Sequence, residues 1–151
     1  MNIRTAIALA VFTAGLALAP LAAHADDDDD DAPKATRSSQ NMPELILGSA
    51  ESSYDVNKKD FELIAGQGYR WKITSYGGFE YKFMTDLFRN VWIDQIVIDD
   101  LEVHMAGAPA WLEFDGKGTM MVQFHTVRPG QYTWSVPDLA DKGLKGSITI
   151  K

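Results

Sequence analysis

The chain has no cysteine among its 151 residues, so it can form no disulfide and offers no thiolate as nucleophile or metal ligand. It is also short of positive charge: 14 lysines and arginines stand against 21 aspartates and glutamates, for a formal net charge of −7. No basic stripe is present to neutralise phosphates, which argues against a nucleic-acid partner. A long apolar run occurs only near the start. Arg4 precedes the uncharged run Ala6 to Leu18, and Ala23-His24-Ala25 places small residues at the outer positions of a cleavage site. That run is shorter than the roughly 20 apolar residues a membrane span requires. Residues 1–25 therefore read as a cleavable signal peptide, which predicts export to a bacterial periplasm and a mature chain without a membrane span.

Removing those 25 residues from 151 leaves 126, enough for one domain with a hydrophobic core. Arg4 is lost with them, so 13 basic residues face 21 acidic ones and the net charge becomes −8. Six of the acids are the consecutive Asp26 to Asp31, so most of the acidity belongs to the tail. Residues 26–41 contain no bulky apolar side chain and cannot bury enough surface to offset ordering entropy, which predicts a disordered acidic tail followed by a domain at 42–151. From Met42 onward apolar residues alternate in short runs: Phe61, Leu63; Tyr69, Trp71, Ile73; Phe79, Tyr81, Phe83; Ile96, Ile98; Met120, Val122, Phe124; Tyr132, Trp134, Val136; Ile148, Ile150. Period two bounded by Gly, Asn, Asp and Pro clusters predicts half-buried strands and an all-β sandwich, with a helical turn only within Thr85 to Asp94.

The last strands carry a more specific pattern. Pro129-Gly130-Gln131-Tyr132-Thr133-Trp134, a loop, and then Gly143-Leu144-Lys145-Gly146-Ser147-Ile148-Thr149-Ile150 resemble the two closing strands of the cupredoxins. Phe61 to Phe83 is similar to the family's first conserved strands, so the resemblance runs from about Tyr54 to Lys151. It implies a Greek-key β-sandwich of the plastocyanin type. It also implies where type 1 copper ligands would fall: the cysteine at Val136, a histidine at Leu139, the axial methionine at Leu144, and the other histidine at Phe79 or Glu80. None of these side chains can serve, because such a centre needs a thiolate, two imidazoles and usually a thioether. A type 1 copper centre is therefore not expected.

Other donors are present. His104, Met121 and His125 could hold copper if strands bring them together. Met121 and His125 alone cannot, being about 13 Å apart along one strand. The carboxylates of Asp26, Asp27 and Asp28, with the rest of that run, would attract hard cations such as calcium or a lanthanide weakly, since consecutive aspartates have no loop that converges their oxygens. Glu80 and the acids Asp99, Asp100 and Glu102 are further carboxylate candidates. No serine sits in a nucleophile elbow and neither remaining histidine has a motif that would make it a general base, so no enzyme is expected.

Two features suggest recognition of a protein partner. Phe88, Arg89 and Trp92 are residue types enriched at interface hot spots and lie in a stretch without strand periodicity, although the same aromatics could plug one end of a sandwich. The loop Pro137 to Lys142, with Asp138 and Asp141, falls where cupredoxins present their metal edge. Together these features predict an exported, cupredoxin-like binding or accessory module that docks on a protein such as a metalloenzyme or electron carrier. The alternative is a metal-handling protein using His and Met for copper or carboxylates for a hard cation.

Overall fold

The structure is a computed structural model that describes residues 33–151. The expected signal peptide at 1–25 and the run Asp26 to Asp31 lie outside the described residues.

Among the described residues eleven strands follow in chain order: β1 (Gln40–Asn41), β2 (Leu45–Leu47), β3 (Asp60–Leu63), β4 (Gly68–Ser75), β5 (Tyr81–Thr85), β6 (Val91–Ile98), β7 (Leu101–His104), β8 (Leu112–Phe114), β9 (Gly118–Thr126), β10 (Gly130–Ser135) and β11 (Lys145–Ile150). Two 3-10 turns, Leu87–Arg89 and Pro137–Lys142, complete the set. The strands form two sheets, ordered β1-β4-β9-β6-β7 with β2 also on β4, and β3-β11-β10-β5-β8. Sequence neighbours rarely pair, and β11 runs parallel to β3, so the sandwich is closed by crossovers of the Greek-key kind. Among the described residues no helix is long and apolar enough to cross a membrane.

The alternating residues meet between the sheets. Trp71, Ile73, Tyr81, Phe83, Val122, Phe124, Trp134 and Ile148 are buried, each stabilising the fold by about 1.5–3 kcal/mol relative to exposure. The Trp71 ring lies edge-on to Phe61 and Phe83 at 5.2 and 5.6 Å, and Phe83 stacks on Trp134 at 5.9 Å. Edge-on and offset contacts suit the aromatic quadrupole and order this part of the core.

Three expectations need correction. Helical turns are not confined to Thr85 to Asp94, because the loop expected at Pro137 to Lys142 coils into a 3-10 turn with Pro at its start. The strand read from Phe79 begins at Tyr81 instead; Phe79 is exposed in the preceding turn, packed on Tyr54 at 5.3 Å. The segment 26–41 does not remain free up to Asn41. Thr36 donates its backbone N–H to Oε1 of Gln67 at 2.6 Å, Gln67 Nε2 donates to the Ser38 carbonyl at 2.8 Å, and Arg70 donates to the Ser39 carbonyl at 3.1 Å. Gln40 and Asn41 then pair in parallel with Tyr69 and Arg70. This polar stretch is fastened by backbone hydrogen bonds to a fully buried glutamine, an attachment that hydrophobic patterning does not register.

Candidate functional site

At the end of the sandwich reached by β10, the chain turns through Pro137–Lys142 and closes with Gly143 in the left-handed region at φ 104°. Val136 donates its N–H to the Leu144 carbonyl at 3.0 Å, Leu139 donates to Val136 at 2.9 Å, and Leu144 donates to Leu139 at 3.3 Å. The fold thus gathers three of the four positions that the resemblance assigns to copper ligands. Val136 and Leu144 are buried, and Leu139 packs half-buried against the same core. Three aliphatic side chains offer no electron pair to a metal, so this cluster does not fit copper and closes the end of the core instead.

The fourth position carries different chemistry. Glu80, just before β5, lies with Glu113 of β8 and Asp115 beyond it so that one oxygen of each falls within 4.8 Å of the others. Pairing of Tyr81 with Phe114 between β5 and β8 brings the two segments together. A hydrogen bond with Glu113 holds the Glu80 carboxyl above its ordinary 4.5, reinforced by the charges of Glu113, Asp115 and Asp138. All three carboxylates are exposed, as are Asp138 and Asp141 on the neighbouring turn. Glu113 and Asp115 were not candidates in the sequence reading, because the three-residue strand that delivers them gives too short an alternation to detect. Of the other candidate acids, Asp99 at the exposed tip of the β6–β7 hairpin lines a cleft together with Glu113 and Asp115, whereas Asp100 and Glu102 continue along the tip and outer edge of that hairpin.

The expected alternation of β9 is observed. Val122 and Phe124 point inward, and Met121 and His125 lie on the outer face. His125 sits between Gly68 of β4 and Trp92 of β6, with Nδ1 3.0 Å from Oδ2 of Asp94. His104 on β7 is level with Gln95 of β6, which in turn is level with Gln123 of β9. It is thus two strands away from β9, a span of about 9.6 Å, and its Nε2 is 3.4 Å from its own neighbour Glu102. The structure does not gather His104, Met121 and His125 into one chelating set; strand spacing keeps them apart. Among the described residues the Glu80, Glu113 and Asp115 group is the one place where three carboxylate or imidazole ligands converge.

The segment with Phe88, Arg89 and Trp92 divides its roles. Asp86 Oδ1 accepts the backbone N–H of Thr133 at 2.7 Å and the Asp86 carbonyl accepts Asn90 Nδ2 at 2.8 Å, which pins the Leu87–Arg89 turn to β10. Leu87 and Phe88 are buried and do act as a plug, so Phe88 is not itself a surface anchor. Trp92 is the reverse: β6 places it on the outer face, 70% exposed. Beside it runs a groove of about 260 Å³ whose lining includes Phe88, Arg89, Ile93, Met105 and Gly107.

No family model and no curated protein matches the sequence. Solved structures match its fold. A variant of the McoA multicopper oxidase from Aquifex aeolicus superposes with a TM-score of 0.60 at 12% identity, over 80% of this chain and 31% of that one. A laccase from Pediococcus acidilactici gives 0.56 at 10% identity over 78% and 28%, and a multicopper oxidase from Campylobacter jejuni 0.55 at 9% identity over 78% and 31%. The chain therefore spans less than a third of the length of each of these proteins. At such identities the likeness speaks for the fold, and the fold of this chain is that of a cupredoxin-like β-sandwich.

Proposed function

We propose that the protein is an exported cupredoxin-like binding module that docks on a protein partner through Trp92 and Arg89. The observation that carries this reading is the 70% exposure of Trp92 at the rim of an apolar-floored groove. An indole left in water on a rigid sheet costs little conformational entropy to bury and gains a large apolar contact on docking, which is why Trp and Arg dominate hot spots. Electron transfer through a type 1 copper centre has no part in this reading, since the chain has no cysteine. The test is to replace Trp92 with a photo-crosslinking phenylalanine derivative in the exporting cell. One defined adduct is expected, competed away by unmodified protein and not by Trp92→Ala; equal competition by that variant overturns the proposal.

A second reading rests on the carboxylates at the opposite end. Glu80, Glu113 and Asp115 together offer up to six oxygens, the number at which a calcium or lanthanide ion begins to be satisfied, and their mutual repulsion is relieved by a cation. Asp26, Asp27 and Asp28 would add weak, salt-sensitive attraction to the same ions. Calorimetric titration with calcium and with a lanthanide separates the two readings: saturable binding lost in Glu113→Gln supports a metal-handling role, and binding unchanged in that variant excludes this site.

A further inference from the structure

The first sheet ends at β7, and Leu101–His104 pair with β6 alone among the described residues. All four residues of β7 are exposed, with Leu101 and Val103 at 72% and 49%. We propose that β7 is the seat of a homodimer, in which a second copy adds its own β7 antiparallel to the first and joins the two sheets across a two-fold axis at Val103.

The backbone has the groups this needs. Ile98 and Leu101 close a two-residue hairpin turn over Asp99, at φ 52°, and Asp100. Met105 donates its N–H to the Asp94 carbonyl at 3.1 Å. In an antiparallel ladder the N–H and C=O of one residue point to the same side and alternate along the strand. Leu101, Val103 and Met105 therefore address β6, while the N–H and C=O of Glu102 and His104 face away from the sheet with no strand of the described residues to meet them.

Side-chain complementarity selects the register. With the axis at Val103, Glu102 stands opposite His104 of the second copy and His104 opposite its Glu102, so the outward backbone groups form two closely bonded pairs and a carboxylate faces an imidazole twice. Val103 meets Val103, and Leu101 meets Met105, at the wide pairs where side chains approach most closely. An axis at Glu102 would oppose two carboxylates, and one at His104 would oppose two imidazoles. Slipping by half a step would set the apolar face of one copy against the polar face of the other. On the polar face Gln95 Nε2 lies 3.4 Å from Glu102.

Sedimentation velocity of the purified protein over a range of concentrations tests the idea. A dimer is expected. His104→Pro should weaken it by about 100-fold, because that N–H points away from β6 and its removal costs the fold no ladder bond. Val103→Lys should do the same by opposing two cations on the axis. Glu102→Lys and His104→Glu should each be monomeric alone and form a heterodimer when mixed. Circular dichroism of each variant checks that it is folded. A wild-type monomer throughout, a dimer indifferent to His104→Pro and Val103→Lys, or failure of the mixed pair to associate would each overturn the proposal.

Discussion

The indole Nε1 of Trp134 donates to the carbonyl oxygen of Lys59 at 2.8 Å, and this bond crosses directly over Gly146. It ties β10 to the entrance of β3 across β11. A Cβ on Gly146 would sit 1.9 Å from the Lys59 oxygen and 2.5 Å from the Trp134 nitrogen, so the second glycine of the closing Gly-x-x-Gly pattern is required by close approach.

Gly146→Ala should therefore destabilise the domain by about 3 kcal/mol, because the obstructing atom belongs to the backbone and cannot rotate away. Thermal unfolding should register a drop of roughly 10 °C. A drop of one or two degrees would mean that β3 can shift to admit the methyl group.

Phe88 and Trp92 should separate cleanly in the same assay. Phe88→Ala removes a buried ring and should cost about 3–5 kcal/mol. Trp92→Ala should change stability by less than about 0.5 kcal/mol, as expected of a surface side chain without packing. A large loss for Trp92 would assign it to the fold and remove the basis for docking.

Gln67 holds the N-terminal approach in place. Gln67→Leu strips the partners of the Thr36 N–H and the Ser38 carbonyl, and should accelerate hydrogen exchange at Thr36 by about tenfold or more while leaving the centres of β4 and β9 protected. Unchanged exchange at Thr36 would show that β1 anchors the segment without the glutamine.

Glu113→Gln should stabilise the protein increasingly as pH rises. The Glu80 carboxyl is raised in the fold, chiefly by its hydrogen bond with Glu113 and then by that residue's charge. Such a group contributes stability that is fully present below its unfolded value and is lost as pH climbs through the folded one. The wild type thus loses stability upward from about pH 4.5, and the variant keeps only the smaller part of that loss due to desolvation and the charges of Asp115 and Asp138. Melting temperatures of the two proteins should diverge as pH rises above about 4.5 and then run parallel once Glu80 is ionised in the fold; a pH-independent difference would show that Glu113 does not act on Glu80.

Much of the fold was legible from residue order. Alternation at Tyr69, Trp71 and Ile73 or at Tyr132 and Trp134 requires one buried face, and the glycines and prolines between such runs mark the turns. The absence of cysteine and the aliphatic residues at Val136, Leu139 and Leu144 were equally plain, since the chemistry of a ligand belongs to the residue itself. The shortest strands were not legible: β1, β2 and β8 span two or three residues each, too few to show a period. Nor was the attachment of Thr36, which depends on a glutamine 31 residues away.

The candidate sites divide along the same line. Sequence alone determined which donors and anchors exist, and it placed Met121 and His125 on one face because strand parity is local. Tertiary structure decided which of them meet. Pairing of β5 with β8 assembled Glu80, Glu113 and Asp115, β6 set Trp92 outward while the turn before it drew Phe88 inward, and the width of two strands kept His104 from His125. Convergence of this kind is a property of strand order and register, which hydrogen bonds between distant segments fix and no single stretch of sequence contains.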